Sequence, residues 1–342
     1  MEQQDKEIPK ELFKPAVIDP SKGEEINRPS LNFWQDAWLR VRKNKAAVIS
    51  LVIVGLIIIM AFVGPMISGK EYDTQNVSHN NLPPRIQGLE NISWLPFDGV
   101  KENNAGKEIN VYEQRNIDEY YWFATDALGR DLFTRIWKGT QISLYIALLA
   151  AVIDMVIGVA YGAISGYFGG RVDNVMQRIT EVLIGIPTLI VVILMILLLK
   201  PGIISLTIAL TITGWVGMTR VVRAQVLKLK EQEYVLASRT LGNSHAKIIF
   251  KHLLPNLVGV IIINTMFTIP NAIFTEAYLS FIGLGLQDPL ASLGTLIDEG
   301  FKVLRLHPYQ MVIPAIMIST IMVTFNMLAD GLRDALDPKM RD

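Results

Sequence analysis

Unbroken apolar runs constrain this chain more than any other feature. They cover about residues 46–67, 142–164, 181–199, 203–218, 257–279 and 310–328. A helix needs ~20 apolar residues to cross the hydrocarbon of a bilayer. Each of these runs approaches or reaches that length, and several read through without a single charge. A soluble chain would break its apolar residues into faces or alternations; here 51% of 342 residues are hydrophobic and they collect in blocks. The expectation is an all-α membrane protein with six transmembrane helices.

Charge sets the expected orientation. Arg40, Arg42, Lys43 and Lys45 precede the first run, which places the N-terminus on the cytoplasmic side. With six spans, both termini are then cytoplasmic, and so are the short loop 165–177, the basic stretch 219–256 and the tail 331–342. Residues 68–141 lie outside. This segment holds eight Lys or Arg against eleven Asp or Glu, but long loops cross regardless of charge. Rich in Asn, Gly, Pro and Tyr, it reads as a small strand-and-turn insert. Residues 1–29 carry Pro9, Pro15, Pro20 and Pro29 and read as extended. Ser30 is placed to cap a helix over 30–45, with Leu31, Trp34, Trp38 and Val41 on one face. Two tryptophans followed by basic residues suit a helix lying in the membrane interface.

The stretch 231–256, EQEYVLASRTLGNSHAKIIFKHLLPN, is polar and sits between two spans. From Arg220 to Lys251 it collects seven Lys or Arg against Glu231 and Glu233. Good helix formers run over 233–241. Gly242 can end that helix in a left-handed conformation, Ser244 can cap a second helix from His245, and Pro255 is expected to limit its continuation. The spacing predicts a compact helix-turn-helix. Ala237 and Ser238 are small, which lets a partner surface approach.

Three further stretches join it: Phe123-Ala-Thr-Asp-Ala-Leu-Gly-Arg-Asp-Leu-Phe-Thr-Arg135 before the second run, Leu279-Ser-Phe-Ile-Gly-Leu-Gly285 followed by Ser292-Leu-Gly294, and Gly331-Leu-Arg-Asp-Ala-Leu-Asp-Pro338. Together with the central loop, over about 30–342, the chain resembles the C-type permease subunit of dipeptide and oligopeptide ABC importers. The central loop resembles that family's EAA loop at Ala237, Gly242 and Leu254-Pro255. It departs from it at Leu236 for the usual glutamate, Ser238 for the second alanine and His252 for the later isoleucine.

The resemblance implies the type I ABC-importer permease fold over 142–330. It implies a homologous B-type permease as partner, two ATPase subunits carrying ATP and Mg, and an extracytoplasmic peptide-binding protein in a bacterial inner membrane. Its coupling residues fall on Glu233, Tyr234, Ala237, Ser238, Leu241, Gly242, Ser244, His252 and Pro255. Related permeases carry nickel or other small solutes, and residues alone do not separate these cargoes. An ion-coupled secondary transporter is the alternative of a different class; it would call for buried acidic relays and inverted repeats, and one mid-span Asp with no clear repeat argues against it.

Polar residues inside apolar runs are expensive and mark pathways or interhelical bonds. Asp154, Asn264, Thr268, Asn271 and Glu276 are the candidates here. Thr125, Asp126, Gly129, Arg130 and Asp131 form an outer motif that suits either a gate or a structural corner; Asp126 is placed to cap the second span, and Arg130 with Asp131 to form a charge network. Gly158, Gly162 and Gly166 recur every four residues, as close helix contact requires. No phosphate loop, nucleophile elbow or histidine zinc pair is present, and there is no cysteine. The expectation is a subunit that performs no covalent chemistry and binds no metal or cofactor itself. Lys plus Arg equals Asp plus Glu at 32 each, which gives nucleic acid no attraction.

Overall fold

The computed structural model describes residues 32–90, 92, 95–102 and 108–336. The extended segment 1–29, the Ser30 cap and the end of the tail lie outside these residues. Helix α1 (Phe33–Lys43) is instead capped by Asn32, whose side chain and that of Gln35 form a reciprocal capping box. Val41 packs with Ala47 and Ala335, while Trp34 and Trp38 stay exposed.

Among the described residues, five helices are long and apolar enough to cross a membrane: α2 (Lys45–Ser68), α4 (Leu132–Phe168), α7 (Ile203–Leu229), the continuous His245–Phe281 helix and α12 (Tyr309–Leu336). The run expected at 181–199 is not one straight span. It is a pair, α5 (Gly170–Gly185) and α6 (Thr188–Leu199), bent by 80°. Pro187 has no N–H to continue the ladder and forces Ile186 into an extended conformation, φ −84° and ψ 118°. The loop expected at 165–177 shrinks to a single residue, Gly169, with φ +64°.

The second span begins ten residues earlier than its apolar run, because Asp131 caps it. At 37 residues α4 is about 55 Å long and overreaches a ~30 Å hydrocarbon layer. The C-terminal segment read as a tail is helical to Leu336, where Gly331 lies against Ala47. Between α2 and α4 the chain forms a short 3₁₀ turn (Val77–His79), an antiparallel hairpin of β1 (Val100–Glu102) and β2 (Glu108–Asn110), and α3 (Val111–Arg115). Helix α11 (Leu293–Lys302) closes the same end of the bundle.

Helices α2, α4, α10 (Leu254–Phe281), α11 and α12 share one core containing Val54, Ile136, Ala147, Ile273, Leu296, Ile321 and Phe325. On α4, Gly158, Gly162 and Gly166 face α7; a Cβ at these positions would lie 2.6 Å from Met218 Cβ, 2.6 Å from Thr219 O and 2.9 Å from Arg223 O. The two backbones therefore meet where only hydrogen fits. Outward, α2 exposes Ile49, Val52, Leu56, Ile59 and Phe62, a face suited to lipid.

Candidate functional site

At one end of the bundle, α8 (Glu233–Thr240) and α9 (His245–Ile248) form the helix-turn-helix. Glu233 opens α8, where the helix dipole favours an acidic residue. Tyr234, Ala237 and Leu241 face outward, and Leu241 is 82% exposed. Val235 and Ser238 face inward. Ser238 thus offers no open surface, contrary to the expectation that pairs it with Ala237. It fixes the bend, accepting from Asn243 Nδ2 at 3.0 Å while its carbonyl accepts from Asn243 N at 3.3 Å. Gly242 sits at the bend with φ +77°, and Ser244 Oγ accepts from Lys247 N.

Pro255 does not end the second helix. A π turn over Ile249–Leu253 intervenes, and α10 runs on with Pro255 in its first turn. A regular α-helix would press the proline ring against the carbonyl four residues back; the wider turn relieves it. Half-buried His252 lies in that turn, and its carbonyl accepts from Asn256 Nδ2 at 2.6 Å.

The element is anchored to three long helices. Val235, Ile248, Ile249 and Leu253 share a core with Ala163 of α4 and Met218, Val222 and Val226 of α7. Tyr167 Oη and His245 Nδ1 are 2.8 Å apart, and Lys230 Nζ donates to Gly166 O at 2.9 Å. Helix α5 is held to α7 by Arg223, which donates to both oxygens of Asp173 at 2.6 Å. The exposed edge of α8 is thus joined through this core to α4, α7 and α10.

Between α4, α7 and α10 lies a cavity of about 410 Å³. Asp154, Asn264, Thr268 and Asn271 line it, so four of the five candidate pathway residues come together. Glu276 is not in its wall. It is fully buried nearer the other end, accepting from Ser143 Oγ and Ser280 Oγ at 2.8 Å each, and so joins α4 to α10.

At the opposite end, the 125–131 stretch folds as a corner. Asp126 does not cap α4; it accepts from Leu128 N and Arg130 N at 2.8 and 2.9 Å and from Arg130 Nε at 2.6 Å. Asp131 is the cap, accepting from Thr134 N at 2.9 Å, and it takes no part in the charge network. That network joins Arg130 and Arg135 to Asp126, Asp288 and Glu299. Gly129 has φ +73°, and a Cβ there would lie 1.8 Å from Asn76 O. Thr125 Oγ1 accepts from Leu82 N at 2.8 Å and donates to His79 O at 2.6 Å. Gln310 of α12 donates to Thr125 O and Asn81 Oδ1 at 2.9 Å, tying the insert to the bundle. Within the insert, Lys70 donates to Glu119 and holds it below the usual carboxylate range. Burial lowers His307 to about 4, with Lys101 and Arg115 adding to the effect.

Residues 158–342 match the family described as binding-protein-dependent transport system inner membrane component, and residues 32–84 match the N-terminal TM domain of oligopeptide transport permease C. The oligopeptide transport system permease protein OppC of Bacillus subtilis is 44% identical, over 98% of this chain and 99% of its own length. The chain belongs to this family of transport permeases. The dipeptide permease DppC of Lactococcus lactis is 46% identical, over 96% of the chain and 98% of that protein. A chain in an inward-facing structure of the MetNI methionine ABC transporter is similar in fold, with TM-score 0.50 and 18% identity, over 59% of this chain and 96% of that one.

In this permease the 158–342 match contains both the helix-turn-helix and most of the cavity wall. Reading the sequence missed Arg135, Asp288 and Glu299, which lie up to 164 positions apart. It also missed Asn243, although an Asn beside the bend glycine is a local signal that could have been used.

Proposed function

We propose that this permease forms half of the pathway of an ATP-driven importer of dipeptides or oligopeptides. The supporting observation is the α8–α9 element, whose outward edge of Tyr234, Ala237 and Leu241 is exposed and whose inward side is fixed to α4, α7 and α10. An apolar edge exposed on a rigid helix pair suits a groove in a second protein. On this reading the groove belongs to an ATPase subunit, and ATP and Mg are bound there. Closure of two such subunits displaces α8–α9 and tilts the helices around the cavity. A homologous permease supplies the other half of the pathway, and a peptide-binding protein delivers cargo at the end that carries the insert. The basic end with α8–α9 and both termini lies in the cytoplasm, α1 lies in the interface with Trp34 and Trp38 toward lipid, and the membrane is a bacterial inner membrane.

The names of the relatives support peptide as cargo. The test is uptake of labelled peptide into vesicles holding the complete complex, with ATP inside and loaded binding protein outside. ATP-dependent accumulation that excess unlabelled peptide removes, and nickel does not, is the expected result. ATP hydrolysis with no peptide movement, or competition by nickel, would assign a different cargo. Uptake driven by an ion gradient without ATP would remove the importer from the ATP-driven class.

A further inference from the structure

Asp154 is the unusual member of the cavity. It lies midway along α4, is 6% exposed, and its Oδ1 has no hydrogen-bond partner among the described residues. Its other oxygen rests against Gly214 of α7, where a Cβ would come within 2.5 Å of Oδ2. The absence of a side chain at 214 makes the space in which the carboxylate sits. No Lys or Arg lines the cavity among the described residues. A carboxyl placed this way, without a cation or a donor, is costly unless something else supplies one.

The rest of the wall leans the same way. Thr268 spends its single hydroxyl proton on Asn264 O at 3.1 Å, and Thr275 spends its own on Asn271 O at 2.8 Å. Their lone pairs remain. Asn264 turns an amide N–H back to Val260 O at 2.9 Å. These groups set acceptors beside the Asp154 carboxylate, while the second Asn264 N–H and the Asn271 amide keep donors in the wall as well. A primary ammonium carries three donors, one positive charge and no acceptor, which is the complement of the unpaired carboxylate.

The geometry points to a subsite for a primary ammonium group on the transported molecule, with Asp154 as its counter-charge. The inference rests on the peptide-importer reading and adds to it the part of the cargo that this chain recognises. The α-ammonium of a peptide and the ammonium of a lysine side chain share this chemistry.

The test uses the reconstituted complex with its binding protein saturated by each cargo in turn: tri-alanine, its N-acetyl form, and N-acetyl-Ala-Lys-Ala. The wild-type complex is expected to move tri-alanine at least about tenfold faster than the acetylated form, the size of a charge-assisted contact. Restored uptake of the lysine peptide would show that either ammonium suffices; its failure would assign the subsite to the α-ammonium. In Asp154→Asn the ratio of free to acetylated uptake falls toward one. Gly214→Ala keeps the carboxylate but takes its space, and lowers the ratio too, which covers the case in which Asp154→Asn does not assemble. A wild-type ratio near one, or an unchanged ratio in assembled variants, overturns the subsite while leaving the importer intact. Failure of the wild-type complex to move any of the peptides overturns the importer reading and the subsite together.

Discussion

Replacing Arg135 with Met removes the most deeply placed charge of the network. The arginine is fully buried and donates to Glu299 twice, at 2.6 and 3.0 Å, as well as contacting Asp126. Its loss does not strand Asp126, which keeps Arg130 Nε at 2.6 Å and two backbone N–H groups. Glu299 keeps only Arg130 at 3.3–3.4 Å, but its side chain is 28% exposed and water can reach it. Breaking a buried pair from one side costs about 3–5 kcal/mol. The retained partners of Asp126 and the partial hydration of Glu299 put this case at the lower end, about 3 kcal/mol. Over a chain of 342 residues that corresponds to a fall of roughly 4 °C in thermal midpoint. Scanning fluorimetry of the complex in nanodiscs, as a double-mutant cycle with Glu299→Met, measures it. The double variant is expected to recover more than half of the loss, because the stranded acid is gone as well. An unchanged midpoint in Arg135→Met, or strictly additive single and double variants, would refute the electrostatic reasoning.

Gly129→Ala combines a left-handed φ with a Cβ 1.8 Å from Asn76 O, so the 3₁₀ turn must move away; faster proteolysis within 70–125 is the expected result, and wild-type resistance contradicts it. The folded protein keeps His307 neutral, held down to about 4 by burial. Between pH about 6.5 and about 4 the unfolded state therefore binds the extra proton, so this contribution is complete above the ordinary histidine value and is lost as pH falls through the window, by about 3 kcal/mol. Thermal scans from pH 7.5 to 4.5 should show a steeper acid loss for wild type than for His307→Gln, and parallel curves would refute it. Gly162→Val pushes a side chain against Thr219 O and Val222 Cβ and is expected to cost about 1–3 kcal/mol, read as a lower midpoint with α4 and α7 splayed.

The spans were legible because lipid demands long apolar runs, and the α8–α9 pair because its stops are local: Gly242 at positive φ and the Ser244 cap are each decided within a few residues. What escaped was decided by geometry at a distance or by competition between similar residues. Asp126 and Asp131 are equally good caps in the sequence; Gly129 folds the chain back on Asp126, so the helix can begin only after Asp131. Asp288 and Glu299 meet Arg130 and Arg135 across about half of the sequence, and nothing near any of them predicts it. Pro187 inside its apolar run already marks a kink, since proline removes a backbone hydrogen bond; the size of the bend, 80°, is what the all-apolar neighbours do not reveal. Grouping Asp154 with Asn264, Thr268 and Asn271 in one cavity required α4 and α10 to be placed side by side; Glu276, chosen on the same grounds, faces the other way into Ser143 and Ser280.

The measurement that bears most directly on coupling through α8–α9 is peptide uptake and substrate-stimulated ATP hydrolysis by complexes carrying Gly242→Arg. A Cβ at Gly242 meets nothing within 4 Å among the described residues, so the side chain leaves the backbone into open space, and the left-handed φ adds only about 1–2 kcal/mol of local strain. A large effect must then come from the surface that α8–α9 meets. The account predicts that both activities fall at least about tenfold while the subunits remain assembled, a loss of about 1.4 kcal/mol or more in coupling. An assembled Gly242→Arg complex that hydrolyses ATP and takes up peptide at the wild-type rate would contradict it.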